Sequence, residues 1–213
     1  MKIKLQLALD VIELKQAITL LDELQGLIDI VEVGTPMIVK EGVKPILELR
    51  QRFLDMVIFA DVKITDGAKI EAQYAFDAGA DIVSVLAMAE LQTIKDTISV
   101  AHRLNKKVLV DLIGVKDLAS RITELEKLAV DYLCVHNAFD VQYLGKDPLA
   151  ELLELKQYVS HSKTVVAGGI TLTNLSAIVK AKPDVIIIGG AITGSGDPKA
   201  TTIAIRQMIE QKG

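Results

Sequence analysis

The stretch Val57-Ile58-Phe59-Ala60-Asp61-Val62-Lys63-Ile64-Thr65-Asp66 governs how the whole chain is read. Four apolar residues run straight into Asp-x-Lys-x-x-Asp, and Gly67 follows at once. An apolar run without polar alternation is the pattern of a parallel strand covered on both faces. Gly67-Ala68-Lys69-Ile70-Glu71-Ala72 then begins a helix-like pattern, so both acids and the lysine are expected where the strand stops and the backbone turns outward. In a barrel of alternating strands and helices, that end carries the chemistry. An ammonium between two carboxylates keeps its charge, because neighbouring anions favour the protonated form. Lys63 is therefore expected to be a cationic acid or electrostatic stabiliser, not a neutral amine poised for a Schiff base. The plain alternative is a surface ion-pair cluster, which contributes little to anything. The rest of the chain separates the two.

Apolar runs ending in a polar residue or glycine recur from end to end: Ile3 to Asp10, Ile30 to Gly34, Met56 to Asp61, Ile82 to Leu86, Val108 to Asp111, Tyr132 to His136, Thr164 to Gly168 and Val185 to Gly189. They lie roughly 20 to 30 residues apart, the length of one strand–helix unit. Between them, segments such as Glu13 to Leu24, Ala68 to Ala78, Leu91 to Leu104 and Ala200 to Gln211 place apolar residues at three- and four-residue steps, the helical period. Gly79, ahead of Ala80-Asp81, closes one helix, and Asp147-Pro148 supplies an N-cap followed by proline in the first turn of another. Eight such units in 213 residues predict a single-domain α/β fold spanning 1–213, a (β/α)8 TIM barrel with short loops. A doubly wound sheet is the runner-up.

Composition narrows the function. Half of the residues are hydrophobic, yet no uninterrupted apolar run approaches the roughly 20 residues of a membrane helix. Met1 to Ala8 reads as a first strand, not as a signal peptide, and the expected address is the cytoplasm. Cys134 is the sole cysteine, so no internal disulfide forms. A net charge of −4, no basic stripe and no Trp argue against nucleic acid as a partner.

The residues that end the strands are the candidate site. They are Asp10, Glu32 with Gly34-Thr35, Asp61 with Lys63 and Asp66, Asp111, His136, Gly168-Gly169 and Gly189-Gly190; strand four ends blandly in Leu86-Ala87-Met88. Glu32 alternates with Val31 and Val33, and a buried carboxylate needs a partner. A divalent cation shared with Asp61 is one solution, and pairing with Lys63 is another. The two glycine pairs follow strands seven and eight, the usual phosphate site of this architecture, and a short helix is expected to begin near Ala191. Glycines that merely permit tight turns are the alternative. His136 suits proton transfer. His102 and His161 read as surface residues, and Cys134 reads as a small buried hydrophobe.

With these residues placed, the sequence resembles the 3-hexulose-6-phosphate synthases of the orotidine 5′-monophosphate decarboxylase superfamily. The resemblance rests on Leu7-Ala8-Leu9-Asp10, Val31 to Pro36, Ala60 to Asp66, Val110 to Ile113, Val135-His136, Gly145-Lys146-Asp147-Pro148-Leu149, Val166 to Ile170 and Ile188 to Ile192. It implies an aldehyde-lyase that condenses formaldehyde with D-ribulose 5-phosphate. It implies Mg²⁺ on Glu32 and Asp61, catalysis by Lys63, His136, Asp66, Asp111 and Asp61, and substrate contacts from Ala8, Asp10, Gly168, Gly169, Gly189 and Gly190. It also implies a homodimer in which Asp66 reaches the neighbour's site. The sister group, 3-keto-L-gulonate-6-phosphate decarboxylase, usually has glutamate at the position of Asp111 and arginines at those of Phe139 and Gly190. A barrel that binds a sugar phosphate without turnover is the other reading, against which stands the company of Asp61, Lys63, Asp66, Glu32 and His136.

Overall fold

Each of the eight apolar runs forms a strand: β1 (Lys4–Leu9), β2 (Ile30–Val33), β3 (Val57–Ile64), β4 (Ile82–Leu86), β5 (Lys107–Asp111), β6 (Tyr132–His136), β7 (Lys163–Ala167) and β8 (Val185–Ile188). All pairings are parallel, and β1 pairs with both β2 and β8, so the sheet closes into a barrel and the doubly wound alternative falls. The computed structural model describes residues 2–10, 13–144 and 147–210, which leaves Gly145, Lys146 and Gln211 outside the described residues. Helices α1 (Leu14–Glu23), α2 (Thr35–Glu41), α3 (Lys44–Arg52), α4 (Ala68–Asp77), α5 (Leu91–Arg103), α6 (Leu118–Leu125), α7 (Pro148–Tyr158), α8 (Leu172–Lys180), α9 (Gly190–Thr193) and α10 (Pro198–Glu210) fill the connections. The sequence pattern did not suggest α2, which packs only Met37 fully inward and starts on Thr35-Pro36.

Alternation along the strands divides the core into two shells. Leu5, Leu7, Val31, Ile58, Val83, Val110, Leu133, Val166 and Ile186 point outward against the helices. Ala8, Ile30, Phe59, Ile82, Leu109, Tyr132, Cys134, Val165 and Ile187 fill the barrel itself. No helix among the described residues is long and apolar enough to cross a membrane.

The N-terminal rim is stapled by a repeat. The residue just before each even-numbered strand is aspartate, and its carboxylate accepts from a backbone N–H of the preceding strand. Asp29 takes Leu5 N at 2.8 Å, Asp81 takes Ile58 N at 3.0 Å, Asp131 takes Val108 N at 3.0 Å and Asp184 takes Thr164 N at 2.8 Å. Cations reinforce two of the four, through Arg206 on Asp29 and Arg50 and Lys106 on Asp81, and His102 Nε2 lies 3.1 Å from Asp131 Oδ2. The strands thus start in a fixed register, which sets where their other ends emerge.

Glu126, just past α6, secures the turn into β7 in a similar way. Its Oε2 accepts from Ser160 N, Ser160 Oγ and His161 N, each at 2.8 Å, and Oε1 accepts from Ser162 N at 3.2 Å. Burial would raise its pKa, but hydrogen bonds from Ser162, Ser160 and His161 prevail and bring it from 4.5 to about 2. A lowered folded-state pKa means stability that is full above 4.5 and lost as pH falls toward 2. Glu126→Gln is expected to cost about 1 kcal/mol at neutral pH, after allowance for solvent screening. In denaturant titrations against pH, its deficit relative to the parent should shrink as pH drops through that window.

Candidate active site

The structure corrects the expected end of β3. The strand does not stop at Asp61 but runs through the Asp-x-Lys pair to Ile64. Ala60 pairs with Val83 and Ile64 with Val85, so Asp61, Val62 and Lys63 face only Ser84 across the β3–β4 seam. This irregularity turns Lys63 to φ +50°, a left-handed conformation that costs a lysine about 1–3 kcal/mol. Such strain persists only where the surroundings enforce it. Here Lys63 N–H donates to Ser84 Oγ at 2.8 Å, and the Ser84 hydroxyl donates to Asp61 Oδ1 at 2.8 Å. Thr35 Oγ1 reaches Asp61 O at 2.7 Å and Asp61 Oδ2 at 3.0 Å.

Lys63 Nζ donates to Asp61 Oδ2 and lies 3.9 Å from Asp111 Oδ2. Burial pulls the ammonium's pKa down, but the carboxylates of Asp61 and Asp111 more than offset it and hold the pKa above the ordinary lysine value. The amine stays charged, as its setting in the sequence implied. The second carboxylate on it is Asp111, not Asp66. Asp66 is exposed, its Oδ1 accepting from Gly67 N at 2.7 Å, and among the described residues the ion-pair partners of Lys63 are Asp61 and Asp111.

Beneath this pair lies Glu32. It is 6% exposed, and Gln6 Nε2 donates to its Oε2 at 2.5 Å. Burial and the nearby carboxylates of Asp61 and Asp10 push its pKa well above the usual carboxylate range. Asp10 is raised for the same reasons, burial first and Asp61 next. A Cβ on Gly34 would lie 2.1 Å from Asp10 Oδ1, and one on Gly189 would lie 3.4 Å from Asp10 Oδ2. The glycine at 34 is therefore what lets Asp10 stand at the mouth, with Ala8 below it in the barrel shell.

On the other side of Lys63, His136 Nδ1 lies 2.8 Å from Asp111 Oδ2, while Asp111 Oδ1 accepts from Ile113 N at 2.9 Å. The carboxylate fixes the ring so that Nδ1 carries the proton and Nε2 is the basic edge. Burial lowers the imidazole's pKa, but the hydrogen bond and charge of Asp111 outweigh it, and the pKa is raised. That makes His136 a stronger base than a free histidine.

The glycine pairs end β7 and β8 as expected, and α9 begins at Gly190. They differ in kind. Gly168 has φ +86°, and a Cβ there would meet Asn137 O at 2.1 Å, so packing demands glycine. A Cβ on Gly190 would meet nothing within 4 Å. Phe139, two residues past Asn137, is 84% exposed. His102 and His161 are exposed. Cys134 is buried inside the barrel, where burial and the Asp111 charge push its thiol pKa well up and leave it an inert filler. Gln6 and Ser84 escaped the sequence reading, because one precedes the last inward position of its strand and the other sits in a strand that ends without a polar residue.

Among the described residues, no group of three or more His, Cys, Asp or Glu is placed to hold a metal unaided. Of the carboxylates gathered here, Glu32 and Asp61 are the two that the sequence reading gave to a cation. Their donor set is hard oxygen, and a cation would offset the burial and the Asp61 and Asp10 charges that raise Glu32. That fits Mg²⁺, which binds through one or two carboxylates and completes its shell with water and substrate oxygens.

Comparison with known proteins identifies the family and the fold. Residues 3–205 match the family model described as Orotidine 5′-phosphate decarboxylase / HUMPS family. A 3-hexulose-6-phosphate synthase of Bacillus subtilis (strain 168) is 42% identical over 208 residues, covering 98% of this chain and 99% of that one. The crystal structure of a 3-hexulose-6-phosphate synthase from Salmonella typhimurium superposes with TM-score 0.96 at 38% identity, over 99% of this chain and 100% of the other. A 3-keto-L-gulonate-6-phosphate decarboxylase from Vibrio cholerae superposes with TM-score 0.87 at 27% identity, over 100% of both chains.

Proposed function

Since the chain belongs to the orotidine 5′-phosphate decarboxylase / HUMPS family, we propose that it performs the hexulose-6-phosphate synthase reaction, joining formaldehyde to D-ribulose 5-phosphate. The observation that carries this reading is the juxtaposition at one barrel mouth of a charged Lys63 and an Asp111-supported His136. That pair is what forming and quenching an enediolate requires. The higher identity to synthases than to the decarboxylase supports the choice between sister reactions. So do Phe139 and Gly190, where the decarboxylases resembled by this sequence carry arginines. Neither the backbone nor packing requires glycine at 190, so an arginine would fit there without strain.

The ketose phosphate is anchored by the loops of Gly168-Gly169 and Gly189-Gly190, with Ala8 and Asp10 lining the sugar. Glu32 and Asp61 would hold Mg²⁺, which when bound would supply Lewis-acid polarisation of the substrate oxygens. His136 Nε2 takes the proton from C1, and the charge that develops on the C2 oxygen is met by the Lys63 ammonium. The C1 carbanion forms a bond to the formaldehyde carbon. The alkoxide so produced takes the proton back from His136, giving D-arabino-3-hexulose 6-phosphate. Asp111 keeps the imidazole oriented throughout.

The active unit in this reading is a homodimer, with Asp66 entering the partner's mouth. Its supports are the exposure of Asp66 and the apolar surface of Ile70 and Tyr74, one turn apart on α4 and 59% and 62% exposed. A cytoplasmic address accords with the free Cys134 thiol.

The reading is tested by formaldehyde consumption with ribulose 5-phosphate before and after chelation. Activity should vanish with EDTA and return with Mg²⁺. Glu32→Gln should abolish that response while holding or raising the thermal midpoint measured without divalent metal, because it removes a charge from a buried place. Full activity in EDTA would refute the metal assignment.

A further inference from the structure

Ser84 is the residue that the fold spends on Lys63. Its side chain is 0% exposed and stands inside the barrel on β4, at the one position facing the three-residue stretch Asp61-Val62-Lys63. A serine hydroxyl has one proton and two lone pairs. The proton goes to Asp61 Oδ1 at 2.8 Å, and a lone pair takes Lys63 N–H at 2.8 Å. One group thereby bridges both ends of the irregular stretch. It pins the carboxylate that pairs with the Lys63 ammonium, and it satisfies the backbone N–H that the ordinary β3–β4 ladder leaves without a carbonyl.

We propose that Ser84 is a positioning residue for the reaction: it locks the left-handed Lys63 backbone and the Asp61 carboxylate in one arrangement, and so fixes where the ammonium meets the substrate. Ser84 does not contact the reacting atoms in this account and acts through Lys63 and Asp61. Thr35 serves as an internal comparison, since it reaches Asp61 but not the Lys63 N–H. Without Ser84, the Lys63 N–H loses the acceptor it has among the described residues while the lysine stands at φ +50°, and the backbone can relax to an extended conformation that swings the side chain to the other face.

The proposal rests on the synthase reading for its kinetic test, but its structural test does not. Ser84→Ala should lower kcat about 10- to 100-fold, the range for a hydrogen bond to a charged group, with KM for ribulose 5-phosphate within about threefold. Ser84→Thr keeps the hydroxyl on a β-branched frame and should recover to within about fivefold of the parent. In a crystal structure of Ser84→Ala, Lys63 should leave the positive-φ region and its Nζ should leave Asp61. If Ser84→Ala does not fold, Ser84→Cys carries the same expectations, because a thiol is a poor donor and acceptor. The proposal is overturned if the Ala variant keeps kcat within about threefold, if Thr is no better than Ala, or if Lys63 keeps its conformation without the hydroxyl. A parent lacking synthase turnover would sink the reaction assigned above, and the crystallographic result would still judge Ser84.

Discussion

Lys63→Ala is expected to lower turnover by about a thousandfold or more while the barrel stays folded. Removal of a single preorganised donor to a developing oxyanion costs about 10²–10³ in rate. Here the lost group is a full positive charge, 23% exposed and held by Asp61. Folding should suffer less. Asp61 keeps the Ser84 and Thr35 hydroxyls, so the unpaired carboxylate remains solvated by donors, and a stability loss of about 2 kcal/mol is expected. The measurement is kcat and KM beside a thermal melt. A collapse in kcat with an intact melt assigns the residue to chemistry. The same variant examines the dimer. If Asp66 acts across the interface, mixing Lys63→Ala with Asp66→Ala under subunit exchange rebuilds one intact site in each mixed dimer, recovering about a quarter of parental activity. No recovery, with exchange verified, would place Asp66 in its own subunit's site, and an active Asp66→Ala homodimer would place it outside catalysis.

His136→Gln should cost about 10²–10⁴ in turnover, the usual contribution of a positioned base. Asp111→Asn should cost nearly as much, for a reason visible in the geometry. Ile113 N–H donates to Asp111 Oδ1, so an asparagine keeps its carbonyl oxygen there and turns its amide NH₂ toward His136 Nδ1. The imidazole must then accept at Nδ1 and carry its proton at Nε2, where the base needs a lone pair. The charge that raises the imidazole's pKa is also lost. The two residues act as one device, so the double variant should be scarcely worse than either single variant. Multiplying losses would mean that Asp111 serves Lys63, 3.9 Å away, more than it serves His136.

The barrel could be read from the sequence because its strands are buried on both faces and lack competing patterns. Val185-Ile186-Ile187-Ile188 or Val57-Ile58-Phe59-Ala60 has no plausible place except inside a parallel sheet. Strand-end residues were legible for the same reason: a carboxylate after such a run has nowhere to go but the mouth. What escaped was local geometry that depends on a neighbouring strand. Nothing within residues 57–66 signals that β3 continues to Ile64 with Lys63 at positive φ, because that follows from how Ser84 on β4 meets it. Helix α2 was hidden by the Gly-Thr-Pro that reads as a loop. The Asp111–His136 pairing joins two strands 25 residues apart in sequence, a contact that alternation permits but cannot select. The aspartates at 29, 81, 131 and 184 were a missed signal, since each precedes an apolar strand in the same way and their spacing marks a repeated two-unit block of the barrel.

On the reading proposed above, this enediolate site builds a carbon–carbon bond with formaldehyde. The most direct measurement sets initial rates of formaldehyde loss with ribulose 5-phosphate and Mg²⁺ beside CO₂ release from 3-keto-L-gulonate 6-phosphate, on the same preparation. Fast, metal-dependent formaldehyde loss with slow CO₂ release is the predicted result. The reverse ranking would contradict it, and would mean that Phe139 and Gly190 serve a decarboxylase that manages without arginines at those positions.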